Sequence, residues 1–198
     1  MNRPHDSTRA TEVLAALRTA TAARHELLDS GLPLSAPDPT LDDYAAHLRM
    51  VRDWLAPLET WLAGFADGPQ GEAALPATPR LALIQADLAE PGMPEIPPLR
   101  PAAPWPCDAG AAWRWGVAYV IEGSQLGGAV LYARLAAPLA PHPLRYLRGE
   151  DGGPGPRWRA FMLALRARVT SPDEIAEACA GACAAFDAIL ALAPLDNK

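Results

Sequence analysis

Apolar positions recur at intervals of three and four along most of the chain, the period of a helix with one buried face. Leu14, Leu17, Thr21, His25 and Leu28 form one such stripe. It predicts a helix from about Ser7 or Thr8 to Ser30, stopped by Gly31 and Pro33. A second stripe runs through Leu41, Tyr44, Leu48, Val51, Leu55, Leu58 and Leu62. Thr40 opens it with Asp43 as an acidic first-turn partner, and Pro57 is expected to kink or divide it. Thr78-Pro79 reads as an N-cap and first-turn proline ahead of a short helix through Leu81, Ile84 and Leu88. Pro91 to Pro106 holds seven prolines in sixteen residues, which excludes a regular helix. It reads as an extended connection, because either flank alone has too little core to fold well. A long helix from about Asp108 to Ala137 follows, ended by Pro138, then a short segment near Leu144 to Leu147 and a glycine-proline loop at 149–156. Helices from about Arg157 to Val169 and Pro172 to Leu192 finish the chain, the last with Ser171 and Glu174 as a capping box. The expectation is an all-α, single-domain helical bundle over residues 1–198, with 1–7 as a disordered tail.

Composition narrows the class. The chain has 198 residues and is 50% hydrophobic, enough for one sizeable core. No run of about 18 apolar residues suggests a membrane span, and the polar N-terminus lacks the apolar stretch of a secretion signal, so a cytoplasmic protein is expected. A net charge of −6 argues against nucleic acid as a partner. Lys198 is the sole lysine, so anionic ligand groups must meet arginine, histidine or backbone N–H groups. Cys107, Cys179 and Cys183 read as free thiols. Cys179 and Cys183 share a helical face that two metal ligands could use, but their Ala and Gly neighbours favour small core residues.

The long helix carries an anomaly. Gly123, Gly127 and Gly128 sit in the middle of a strongly helical, apolar stretch, each costing roughly 1 kcal/mol relative to alanine. One explanation is a close helix–helix crossing. The other is a flat ligand lying against bare helix backbone, with Gly116 seven residues before Gly123 on nearly the same face. Among the histidines, His5 falls in the expected tail, His142 in a proline-flanked turn and His47 one position off its stripe. Only His25 is placed on an apolar helical face. It reads either as a core residue or as a ligand, and neutral imidazole is a good axial ligand for haem iron.

At these residues the sequence resembles a known family. Leu17-Arg-Thr-Ala-Thr-Ala-Ala-Arg-His25-Glu-Leu-Leu-Asp-Ser-Gly-Leu-Pro-Leu34 looks like the proximal helix of bacterial haem oxygenases. Tyr119-Val-Ile-Glu-Gly-Ser-Gln-Leu-Gly-Gly128 looks like their distal helix, most similar to the biliverdin-producing branch associated with bacterial phytochromes. The separation of the two segments and a later Trp158-x-x-Phe161 helix also fit.

The resemblance implies the haem oxygenase fold, with haem sandwiched between the two helices as cofactor and substrate. It implies cleavage by O₂ and external electrons to biliverdin, iron and CO. His25 would be the iron ligand, and Gly123, Ser124, Gly127 and Gly128 would form the catalytic distal surface. Some haem oxygenases carry an aspartate where Ser124 stands, which leaves the proton-delivering group open. Glu122 is one candidate, and a polar partner for a neighbouring helix is its other reading. Arg18 and Arg134 are candidates for the haem propionates, with Arg145 and Arg148 as further options. A ferredoxin-like or reductase partner must supply electrons, with the arginines between Arg145 and Arg159 as a candidate docking area, and a bacterial phytochrome is the implied recipient of biliverdin. The competing expectations are a non-catalytic haem carrier or sensor, a thiaminase-type enzyme, which would want a nucleophilic cysteine near acids, and a purely structural bundle.

Overall fold

Periodicity at three and four residues matures into seven α-helices across residues 4–193, the part that the computed structural model describes. They are α1 (Pro4–Gly31), α2 (Leu41–Leu62), α3 (Arg80–Leu88), α4 (Ala111–Leu135), α5 (Arg145–Arg148), α6 (Gly155–Arg168) and α7 (Pro172–Leu190). Helix α1 thus includes residues 4–7, which the sequence reading assigned to a tail; residues 1–3 of that tail lie outside the described residues.

Side-chain caps set the starts of α2 and α7. Thr40 and Asp43 form a reciprocal capping box on α2, and Ser171 and Glu174 do the same on α7. At α3 the cap differs from expectation: Pro79 occupies the N-cap and makes no side-chain hydrogen bond, while the buried Thr78 hydroxyl finds no partner among the described residues. Pro57 does not divide α2, which runs unbroken past it. Trp54, Leu55 and Leu58 are buried on either side, and such packing exceeds the roughly 3 kcal/mol that an interior proline costs.

Helices α4 and α7 make the most extensive contact in the molecule, and α1 packs along α7. Gly116 and Gly181 allow the first of these. A Cβ on Gly116 would overlap the Ala178 carbonyl, and one on Gly181 would overlap the Trp113 carbonyl. The core around this crossing takes Leu17 from α1, Leu48 and Trp54 from α2, Trp115 and Ile121 from α4, Phe161 from α6 and Phe186 from α7. Residues 91–106 form no regular element and lie strapped to α2. The Arg52 guanidinium donates to the Pro97 carbonyl (2.9 Å) and Trp61 Nε1 to the Pro106 carbonyl (2.9 Å). Among the described residues no helix is long and apolar enough to cross a membrane.

Candidate active site

His25 lies near the end of α1, past the point where its stripe is buried. Val13, Leu17 and Thr21 are enclosed, whereas the His25 side chain is 63% exposed. The expectation that His25 alone sits on an apolar face is therefore not met: among the described residues His47 and His142 are the buried histidines. The stripe continues geometrically, but beyond Thr21 its cover thins, and Leu28 packs only partly against the core.

The surroundings of His25 are nonetheless organised. Nδ1 lies 2.9 Å from the Asp29 carboxylate, one helical turn on, and Nε2 makes no hydrogen bond among the described residues. A proton on Nδ1 shared with Asp29 leaves the Nε2 lone pair outward, the arrangement that metal-bound histidines adopt. Phe186 of α7 flanks the ring at 5.8 Å, and the neighbouring residues Arg24 and Asp187 pair with each other (2.6 Å). The Cys183 thiol contacts the Ala20 carbonyl (3.4 Å), and both Cys179 and Cys183 are half-buried free thiols.

Arg18 is exposed seven residues before His25, and its guanidinium lies beside the Tyr119 phenol of α4. Burial pushes that phenol up, and Arg18 partly offsets the shift. Tyr119 therefore joins the site as a residue that the sequence reading did not single out. Trp158 of α6 packs on Tyr119 at 5.5 Å, stacks on Phe161 at 5.8 Å, and would touch a Cβ on Gly123 at 3.7 Å.

The glycines of α4 divide by role. Gly116 serves the α7 crossing, so it does not extend the bare strip as expected. One turn past Gly123 the same face opens: a Cβ on Gly127 would meet nothing within 4 Å. Gly128 turns instead toward α5, where its Cβ would stand 3.8 Å from the Leu147 carbonyl. Gly116 meets a close helix crossing, whereas the helix face at Gly127 is left open. Beside them the Ser124 hydroxyl donates to the Ile121 carbonyl (2.8 Å), and Gln125 Nε2 reaches the Ser124 oxygen (3.4 Å) and the Tyr146 hydroxyl (3.3 Å).

Glu122 faces away from this surface. Burial pushes its carboxyl up, but Arg157 (2.7 Å) and Arg80 (2.8 Å) outweigh that and hold it below the usual carboxylate range. A clamped carboxylate is a poor proton donor, so Glu122 is the polar partner of its neighbours. It also lines a cavity of about 150 Å³ with Glu59, Gln70, Arg80, Trp115 and Phe161; neither His25 nor Gly127 borders it. The arginines expected to offer a docking patch are largely neutralised. Arg145 pairs with Glu90 (2.6 Å), Arg148 lies 3.6 Å from Asp151 and Arg157 holds Glu122, which leaves Arg159 exposed. Arg145 and Arg148 are accordingly weak propionate candidates, whereas Arg134 is exposed at the end of α4.

No protein-family profile matches the chain. A haem oxygenase from Xanthomonas campestris pv. campestris (strain 8004) is 36% identical over 143 residues, 71% of this chain and 79% of the relative. The haem oxygenase of Neisseria meningitidis, solved with NO and CO bound, has a TM-score of 0.65 and 25% identity, covering 93% of this chain and 89% of that one. Identity at that level across most of a relative, on the same all-α architecture, means that the chain belongs to the haem oxygenase family.

Proposed function

We propose that this chain binds haem between α1 and α4 and cleaves it oxidatively to biliverdin, iron and CO. The observation that carries the reading is the pairing of an exposed imidazole, oriented by Asp29 with Nε2 outward, with a helix face left open at Gly127. These features fit haem: one side offers a neutral nitrogen ligand, the other a surface without side chains on which a planar ring can lie.

His25 would hold the iron through Nε2, its ring fixed by the Asp29 carboxylate at Nδ1. Gly127 would bring the α4 backbone close to the opposite face, with Gly123 and Trp158 one turn before it and Gly128 packed on α5, and Ser124 would supply a hydroxyl beside it. Trp158 closes one wall and excludes water from it. Arg18 and Arg134 meet the propionates, with the Tyr119 phenol beside Arg18. Haem held there would supply the redox-active iron and the porphyrin substrate for oxidative cleavage. Electrons come from a ferredoxin-like or reductase partner. The Tyr119–Gly128 motif supports placing the chain in the branch associated with bacterial phytochromes, which makes such a photoreceptor the recipient of biliverdin.

Haem titration followed by reductant, air and catalase tests this reading. A Soret band that decays to a biliverdin spectrum is expected, and His25→Ala should bind haem weakly and lose turnover. A stable Soret spectrum under the same conditions would make the chain a carrier or sensor, and wild-type turnover in His25→Ala would remove the ligand assignment.

A further inference from the structure

Behind the glycine segment of α4 stands the four-residue helix α5, and its position is fixed to an unusual degree. The Asp87 carboxylate is fully buried and accepts from the Tyr44 hydroxyl (2.6 Å) and from the backbone N–H groups of Arg145 and Tyr146 (2.9 Å each). His142 adds a second tie. Its Nδ1 accepts from the Leu144 N–H (3.1 Å), so the proton sits on Nε2, which donates to the Asp87 carbonyl (3.1 Å). Leu144 itself is held at φ 49°, a left-handed conformation that L side chains rarely adopt. Such a turn persists only where its surroundings over-determine it.

This locked turn presents one group to α4. The buried Tyr146 hydroxyl accepts from Gln125 Nε2, which also reaches the Ser124 oxygen. The Leu147 backbone lies against Gly128 on the same stretch of helix. Burial pushes the Tyr146 phenol up, so it keeps its proton through the neutral range. Ser124 consequently accepts from Gln125 and donates onward to Ile121, and its hydrogen cannot rotate freely.

We propose that Tyr146 is a positioning residue for the distal site: from the turn locked by Asp87, its hydroxyl holds Gln125 and through it orients the Ser124 hydroxyl beside the open glycine face. The proposal rests on the reading of α4 as the haem-covering helix. It assigns the polar order of that helix to a residue outside it, on an element that touches neither α1 nor α7 extensively. Without the phenol oxygen the Gln125 amide can rotate, and the Ser124 oxygen loses the donor that helps hold its hydroxyl in place.

The test compares Tyr146→Phe, Gln125→Leu and the double variant with wild type, all loaded with haem. Phe keeps the ring and the N–H that Asp87 accepts, so haem affinity should stay within about twofold. Turnover should fall about tenfold, the value of one hydrogen bond. The C–O stretching frequency of the ferrous CO complex should shift equally in both single variants, and the double variant should be no worse than either. An unchanged stretch and turnover in Tyr146→Phe, or single effects that multiply in the double variant, would overturn the proposal while leaving haem cleavage intact. Should Tyr146→Phe fail to fold, the stretch in Gln125→Leu decides alone: a shift supports the proposal and no shift sinks it. A wild-type protein that binds no haem would overturn the functional reading and this proposal with it.

Discussion

His47 is buried in α2 with Nδ1 unpartnered among the described residues, and burial lowers its pKa to about 4. The unfolded chain takes up a proton near pH 6.5, whereas the folded one resists until about pH 4. Stability is therefore complete above about 6.5 and declines as pH falls, by roughly 3 kcal/mol at pH 4 at 1.36 kcal/mol per unit. Denaturant unfolding across this window should show that slope, and His47→Leu should flatten it; an equally steep slope in the variant would assign the titration elsewhere. Glu122 acts in a different window. Its carboxyl is held below 4.5, so its contribution is present above that value and disappears only as pH falls further. Glu122→Gln should cost about 3 kcal/mol, because Arg80 and Arg157 stay buried or half-buried without their counter-charge. His25, by contrast, is exposed, with Asp29 four residues on beside its Nδ1.

At the scale of elements, α4 holds two kinds of glycine. Gly116→Ala places a methyl on the Ala178 backbone, which cannot move aside as a flexible side chain would. Thermal unfolding should show a loss of about 1–3 kcal/mol. Gly127→Ala has open space and should gain up to about 1 kcal/mol from helix propensity. Gly127→Leu should keep that stability and lose haem affinity, as read by Soret titration; unimpaired haem binding would show that the open face is not the site. The sequence revealed that these glycines needed a reason, but not which reason applied to which residue. That depended on where α7 crosses α4. Pro57 gives a similar lesson, since propensity predicts a break that the buried flanks of α2 override.

At the scale of the whole molecule, a ligand that bridges α1 and α4 should couple to folding. Haem at a hundredfold excess over its Kd should add about 2.7 kcal/mol of stability, visible as a rise in Tm that His25→Ala abolishes. The net charge of −6 remains compatible with an electron-transfer partner only through local charge. Arg145, Arg148 and Arg157 each pair with a carboxylate of this chain, which weakens the expectation of a positive docking area between Arg145 and Arg159.

The sequence by itself determined the helices, their order, the two capping boxes and the two segments that carry the family likeness, because each depends on residues within a turn or two of one another. It also exposed His25 and the glycine anomaly. Only the tertiary structure decided that Gly116 packs while Gly127 stays open, that His47 and His142 are interior, that Glu122 is clamped, and that Asp87 locks the turn bearing Tyr146. Those facts join residues 35 to 59 or more positions apart. Hydrophobic periodicity says which side of a helix is buried. What it is buried against follows from the packing of all the helices together.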